Sequence, residues 1–124
     1  MKRFRLYFWI WAILIFAVSS YPNLKSPVKL SEKISWDKIA HFTEYLILAF
    51  LYYKYRFLSG LQINKIQKQL FYMLLIIPVF DELHQLLIPG RSFSFLDILA
   101  DMMGFATIIL YLNYRKKRIL LWEN

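Results

Sequence analysis

Apolar runs separated by short polar stretches divide the chain into four windows, at about 4–21, 39–58, 69–88 and 94–114. Each window comes close to the roughly 20 mainly apolar residues that a helix needs to cross the hydrocarbon core of a bilayer. Apolar and polar residues do not alternate with a period of two, and an open sheet in lipid would leave backbone groups unpaired. The pattern therefore predicts an all-α bundle of four transmembrane helices, folded as a single domain over residues 1–124.

The composition agrees with a membrane protein and excludes several other classes. Of the 124 residues, 59% are hydrophobic and 19% aromatic, and the mean hydropathy is high for a soluble domain of this size. The absence of cysteine excludes disulfides, thiolate metal sites and a cysteine nucleophile. The net charge of +8 does not form one basic stripe interleaved with exposed aromatics. We therefore expect membrane lipids and not nucleic acid as partners, and no cofactor.

The distribution of basic residues predicts the orientation of the helices. Eleven basic residues flank the start of the first window, surround the second connection or follow the fourth window, and five lie on the opposite side. Because basic residues concentrate on the cytoplasmic side, both termini should be cytoplasmic in a multi-pass protein. The first window could instead be a cleaved signal peptide, with small residues at Ala17 and Ser19, which would leave three spans. The bulky residues Trp9, Trp11 and Phe16 favour a retained anchor.

Three connections follow from the turn residues. The stretch 21–37 contains Pro22 and Pro27 and is expected to form an external loop. Residues 59–64, with Gly60, should form a short internal turn. Between the third and fourth helices, Pro89 should end one helix, and Ser94 should cap the next.

Five of the eight acidic residues lie within or at the edge of the apolar windows: Glu44, Asp81, Glu82, Asp97 and Asp101. A carboxylate near the middle of a membrane helix costs about 2.5–3.5 kcal/mol, so several together indicate a shared polar cavity. With a rise of 1.5 Å per residue, the polar groups of the last three helices all lie roughly 5–11 Å below their predicted outer ends. The sequence therefore predicts a polar pocket that opens outward.

The spacing of these residues also places them on common helix faces. His41 and Glu44, Glu82 and Gln85, and Asp97 and Asp101 are three or four residues apart. Gly104 continues the stripe of Asp97 and Asp101 and would permit close approach of another helix. Pro78 would free a backbone carbonyl just below Asp81 and kink the third helix.

Residue chemistry gives each member of this pocket a predicted role. Glu82, His41 and Asp97 are the candidate catalytic residues, because buried carboxyls and imidazoles suit proton transfer. Arg91 is the nearest fixed cation, and its planar fork suits a carboxylate or a lipid phosphate. The predicted substrate-binding residues are Arg91, Gln85, Lys38, Asp37, Asp101 and Ser92, and none of the site residues is predicted as a metal ligand.

Three separated motifs resemble the VanZ-like membrane protein family: residues 37–42, then 81–85 followed by 89–92, then 97–101 with Gly104. The resemblance covers residues 36–105 and implies a small protein of the bacterial cytoplasmic membrane. The family's namesake is associated with low-level resistance to teicoplanin, a lipoglycopeptide that acts on the cell wall. The matching positions are Asp37, Lys38, His41, Glu82, Gln85, Pro89, Arg91, Ser92, Asp97 and Gly104.

Asp101 departs from the family pattern, which usually has asparagine there. The added carboxylate beside Asp97 raises the local negative charge, so we expect either a protonated carboxyl or a bound cation.

Four functions fit these residues. The first is an enzyme acting on an envelope lipid or lipid-linked cell-wall component; no G-x-S-x-G motif supports a particular reaction. The second is a protein that binds a lipid head group or a lipoglycopeptide tail without changing it. The third is a metal site built from the pairs His41 and Glu44, and Asp81 and His84. The fourth is a hydrogen-bond network that only fixes the bundle.

Overall fold

Four α-helices and no strand make up the described part of the chain. The computed structural model describes residues 2–22 and 36–122. The helices are α1 (Lys2–Ser19), α2 (Trp36–Leu58), α3 (Ile63–Gln85) and α4 (Phe95–Trp122). The all-α architecture and the order of four helices predicted from the apolar windows are confirmed.

The helix ends differ from the predicted windows where polar residues continue a helix. α2 begins at Trp36, so Asp37 is helical and not part of a loop. α3 begins at Ile63, well before its apolar window, and ends at Gln85. Hydropathy marks only the apolar part of a helix, whereas lysine, arginine and glutamine are good helix formers beyond it. Most of the predicted external loop, residues 23–35, lies outside the described residues.

One of the described helices has the length and composition of a membrane span. Over Phe95–Arg118, α4 is long and apolar enough to cross a membrane. In α1, α2 and α3, charged residues flank or interrupt the apolar stretch. The crossing of a membrane by all four helices therefore stays a prediction.

The core lies where α4 packs against α2 and α3, with α1 packed on α2. Large side chains fill this space, and the most deeply buried are Tyr45, Tyr53, Ile66, Leu70, Phe105 and Leu112. The buried proline, Pro78, lies within α3 one turn before Asp81. The apolar core thus ends where the buried polar residues begin.

α2 and α4 approach each other closely at Gly104. A β-carbon added at this position would lie 2.6 Å from the backbone nitrogen of Leu46 and 2.7 Å from the carbonyl oxygen of Phe42. Both are backbone atoms of α2, so they cannot move aside as a flexible side chain can. Gly104 therefore sets the distance between α2 and α4, as small residues do at membrane helix interfaces.

We predict that Gly104→Ala lowers the free energy of unfolding by about 1–3 kcal/mol, the range expected for overpacking a tight core. The measurement is unfolding of the purified protein in detergent, followed by circular dichroism. Met103→Ala is the control, because the Met103 side chain is 61% exposed and its loss should change stability by less than about 0.5 kcal/mol. Equal stability of both variants and the unmodified protein would contradict close packing at Gly104.

Candidate functional site

Buried polar side chains from three helices meet where α3 ends and α2 and α4 begin, which we call the site end of the bundle. They are between 0 and 6% exposed. α2 contributes His41, α3 contributes Glu82 and Gln85, and α4 contributes Asp97 and Asp101. The structure thus brings together the residues that the sequence placed at one depth.

His41 lies between the two carboxylates of α4. Its Nδ1 lies at hydrogen-bond distance, 2.9 Å, from Oδ1 of Asp101. Its Nε2 lies 3.9 Å from Oδ2 of Asp97, which is too long for a hydrogen bond. Asp97 and Asp101 are one helical turn apart, so both can face the same imidazole. An imidazole oriented by a carboxylate in this way is suited to accept or donate a proton.

Lys38 joins α2 to the start of α4. Its ammonium donates to Oδ1 of Asp97, to Oδ2 of Asp37 at 3.3 Å and to Oγ of Ser94 at 3.2 Å. Burial lowers the pKa of Lys38, which lies just outside the predicted span, but Asp97 and Asp37 raise it by more. The pKa therefore lies above its ordinary value of 10.5, and the group stays charged beside Asp97.

Glu82 lies against the first turn of α4. Its Oε1 accepts a hydrogen bond from the backbone N–H of Ser94 at 2.5 Å. Ser94 caps the helix as predicted, because its Oγ accepts from the backbone N–H of Asp97 at 3.3 Å. The free N–H groups and the dipole of a helix N-terminus favour an anion such as the Glu82 carboxylate. Its other oxygen, Oε2, is buried and accepts no hydrogen bond from a described residue.

A chain of hydrogen bonds connects the loop after α3 to α1. Oε1 of Gln85 accepts from Nη2 of Arg91 at 2.7 Å and from its Nε at 3.2 Å. Nε2 of Gln85 donates to Asp81 at 3.3 Å, and Asp81 accepts from Oγ of Ser19 at 2.6 Å. Gly90, at φ +80°, allows the loop to turn back so that Arg91 reaches Gln85.

Arg91 therefore contacts an amide where the sequence suggested a carboxylate or a phosphate. Within the described ranges, no carboxylate lies at ion-pair distance from its guanidinium. Its positive charge is available to an anion that enters from outside the bundle.

A polar cleft of about 440 Å³ opens between these groups at the site end. Five of the six predicted substrate-binding residues line it: Asp37, Lys38, Gln85, Arg91 and Ser92. Asp101, the sixth, does not, because it is fully buried one turn beyond Asp97. Of the three predicted catalytic residues, Asp97 lines the cleft, and His41 and Glu82 are not among its lining residues.

Sequence reasoning missed the contribution of α1. Ser19 is 5% exposed and bonds to Asp81, which was not among the predicted site residues. The signal in the sequence was Ser19, a small hydroxyl residue at the outer end of the first window, but a signal-peptide cleavage site has the same feature.

Two polar residues singled out in the sequence lie away from the buried cluster. The Glu44 side chain is only half-buried, and the His84 ring stacks on Phe16 with centroids 4.5 Å apart.

Two sets of side chains have donor atoms close enough to share a metal ion. One is Asp37, His41 and Asp97; the other is His41, Asp81 and Asp101, and within each set the atoms lie within 4.8 Å of one another. Neither set contains the pairs suggested by sequence spacing, since Glu44 and His84 are absent from both. Carboxylate oxygens and an imidazole nitrogen are ligands of Mn²⁺ and Zn²⁺.

Comparison with known proteins identifies the family. The VanZ/LLP1 family model matches residues 4–116, nearly the whole chain. No curated protein and no solved structure matches the chain. The match includes all the residues of the site end described above, from Ser19 to Asp101. The chain therefore belongs to the VanZ/LLP1 family.

Proposed function

We propose that this VanZ/LLP1 protein spans the bacterial cytoplasmic membrane four times and binds an anionic head group of an envelope lipid or lipid-linked component. The observation that carries the proposal is the polar cleft of about 440 Å³ with Lys38 and Arg91 in its wall. Ligand sites typically measure about 300–1,000 Å³, so the cleft is large enough for a head group.

The membrane location is supported by the distribution of apolar and charged side chains. Large apolar side chains are exposed on all four helices, for example Ile13, Phe50, Ile76 and Leu110. The carboxylates of the site end are buried instead. Monomeric soluble proteins rarely expose contiguous apolar surface on this scale, and they rarely bury unpaired acidic residues. A bundle surrounded by lipid accounts for both features.

Arg91 is the best-placed residue to hold an anion. Its guanidinium is held by the Gln85 amide, which leaves its charge without a carboxylate among the described residues. A planar guanidinium binds phosphate through paired, charge-assisted hydrogen bonds. Lys38 lines the same cleft but is paired with Asp37 and Asp97, so Arg91 is the cation that an anion entering the cleft would contact.

An apolar groove supports a ligand that carries a hydrocarbon chain. The groove measures about 270 Å³, lies between α1, α2 and α3, and is lined mainly by apolar residues such as Phe8, Ile15, Leu48 and Ile77. Asp81 also lines it, and Asp81 is bonded to Gln85 in the wall of the polar cleft. A lipid could therefore place its head group in the cleft and a chain in the groove.

Acid–base catalysis on the bound lipid is the second candidate function. Glu82 favours it, because its Oε2 is buried without a donor from the described residues and could hold a proton behind the wall of the cleft. His41, oriented by Asp101, lies in the same cluster. Catalysis would modify an envelope component, and binding would sequester it. Either outcome would give the tolerance to teicoplanin that is associated with the family's namesake.

The four-span topology predicts opposite accessibility for two loops. Because the chain has no cysteine, Ser92→Cys and Ser59→Cys each introduce a single thiol at an exposed position. In intact cells without an outer membrane, an impermeant maleimide should label Ser92→Cys, and it should label Ser59→Cys only after lysis. Labelling of Ser59→Cys in intact cells would contradict the proposed orientation.

Head-group binding predicts that Arg91→Ala weakens lipid affinity by about tenfold or more, since a hydrogen bond to a charged group contributes about 1.5–3 kcal/mol. The measurement is titration of the purified protein with phosphatidylglycerol and with a polyprenyl phosphate, followed by native mass spectrometry. Arg118→Ala is the control, because it removes the same charge from the exposed end of α4 opposite the site. Unchanged affinity in Arg91→Ala would contradict the proposal.

If Glu82 is catalytic, the variant Glu82→Gln should keep its affinity for lipid but lose the tolerance to teicoplanin. The amide oxygen can still accept from the Ser94 N–H, so lipid affinity should stay within about twofold. Tolerance to teicoplanin, measured as growth of a susceptible host expressing the protein, should be lost because the amide cannot transfer the proton. Glu44→Gln, the same change at a half-buried position, should keep both properties. If Glu82→Gln keeps both as well, the catalytic role is wrong.

A further inference from the structure

The deepest part of the site end contains two carboxylates without a fixed cationic partner among the described residues. Asp97 contacts the Lys38 ammonium, and Glu82 accepts from the N-terminus of α4. Asp81, by contrast, has no cation at ion-pair distance among the described residues and accepts hydrogen bonds from the neutral side chains of Ser19 and Gln85. Asp101 accepts only from His41, which carries a charge only when protonated. Removing ions from water without such compensation is unfavourable, so each of these two groups is either protonated or compensated by a further positive charge.

Asp101 also has an oxygen free to bind a ligand. The side chain is fully buried, and its Oδ2 accepts no hydrogen bond from any described residue. An ionised carboxylate has capacity for several donors, so a buried oxygen without one indicates a missing partner.

Two other potential metal ligands lie close to the Asp101 carboxylate. One donor atom each of His41, Asp81 and Asp101 lies within 4.8 Å of the other two. The three residues come from α2, α3 and α4, whose packing fixes their relative positions. Ser19 and Gln85 hold the Asp81 carboxylate from outside the set, as hydrogen-bonding groups orient the ligands of metal sites.

We propose that His41, Asp81 and Asp101 bind one divalent cation of a kind that accepts both imidazole nitrogen and carboxylate oxygen, such as Mn²⁺ or Zn²⁺. Two ionised carboxylates and a neutral imidazole have a total charge of −2, which one such ion neutralises. The set of Asp37, His41 and Asp97 is less suitable, because the Lys38 ammonium already contacts both of its carboxylates. The proposal does not depend on lipid binding in the cleft.

The test uses Mn²⁺ as the probe and the full chain purified in detergent after removal of metals with a chelator. Electron paramagnetic resonance should detect saturable binding of one Mn²⁺ per chain and a magnetic coupling to an imidazole nitrogen. The chain has two histidines, so His41→Gln should abolish this coupling and His84→Gln should retain it. Zn²⁺ should displace the Mn²⁺.

The carboxylate ligands are tested with a matched pair of variants. Asp101→Asn should weaken Mn²⁺ binding by about tenfold or more, and Asp37→Asn should leave it within about twofold. Because a variant could fail to fold, the thermal unfolding of the unmodified protein is measured with and without Mn²⁺, and the ion should raise the midpoint. Three results would overturn the proposal: no saturable binding, nitrogen coupling that is lost only in His84→Gln, or greater sensitivity to Asp37→Asn than to Asp101→Asn.

Discussion

The distance between α2 and α4 at Gly104 determines the geometry of the whole site end. Asp101 lies one turn before Gly104 on α4, and His41 lies directly before Phe42, whose carbonyl oxygen faces the glycine. A side chain at position 104 would separate the helices, and the 2.9 Å contact between His41 and Asp101 would lengthen with it. Close backbone packing in the apolar core thus sets the hydrogen bonds of the polar cluster above it.

Charge compensation is the second constraint, and it acts on the same cluster. Moving a carboxylate out of water costs several kcal/mol even after the protein relaxes. The structure offsets this cost with the ammonium of Lys38 at Asp97 and with the helix N-terminus at Glu82, whereas Asp81 receives hydrogen bonds from the neutral side chains of Ser19 and Gln85. Because these partners come from all four helices and the loop after α3, the polar cluster also fixes how the helices meet.

Much of this arrangement could be predicted from the sequence, because it depends on properties of single helices. Apolar windows located the helices, and the rise per residue placed His41, Glu82 and Asp97 at one level. Which side chains bond to each other could not be predicted, since this depends on the rotation and tilt of each helix, and hydropathy does not encode them. Spacing favoured Glu44 as a partner of His41, yet α4 supplies Asp101 instead. The bond between Ser19 and Asp81 depends on where α1 packs, which no local pattern specifies.

The cleft at the site end carries charges of both signs, and the titratable groups behind its wall include two further carboxylates. Arg91 and Lys38 line the cleft together with Asp37 and Asp97, whereas Glu82 and Asp101 are not among its lining residues. Two like charges 4 Å apart repel by about 4 kcal/mol in a protein surface environment, so an anionic head group attracted by Arg91 is kept from the carboxylates below. A proton or a metal ion is attracted to them instead. Asp97 lines the cleft, and its Oδ2 lies 3.9 Å from Nε2 of His41, so Asp97 connects the cleft with the buried cluster behind it.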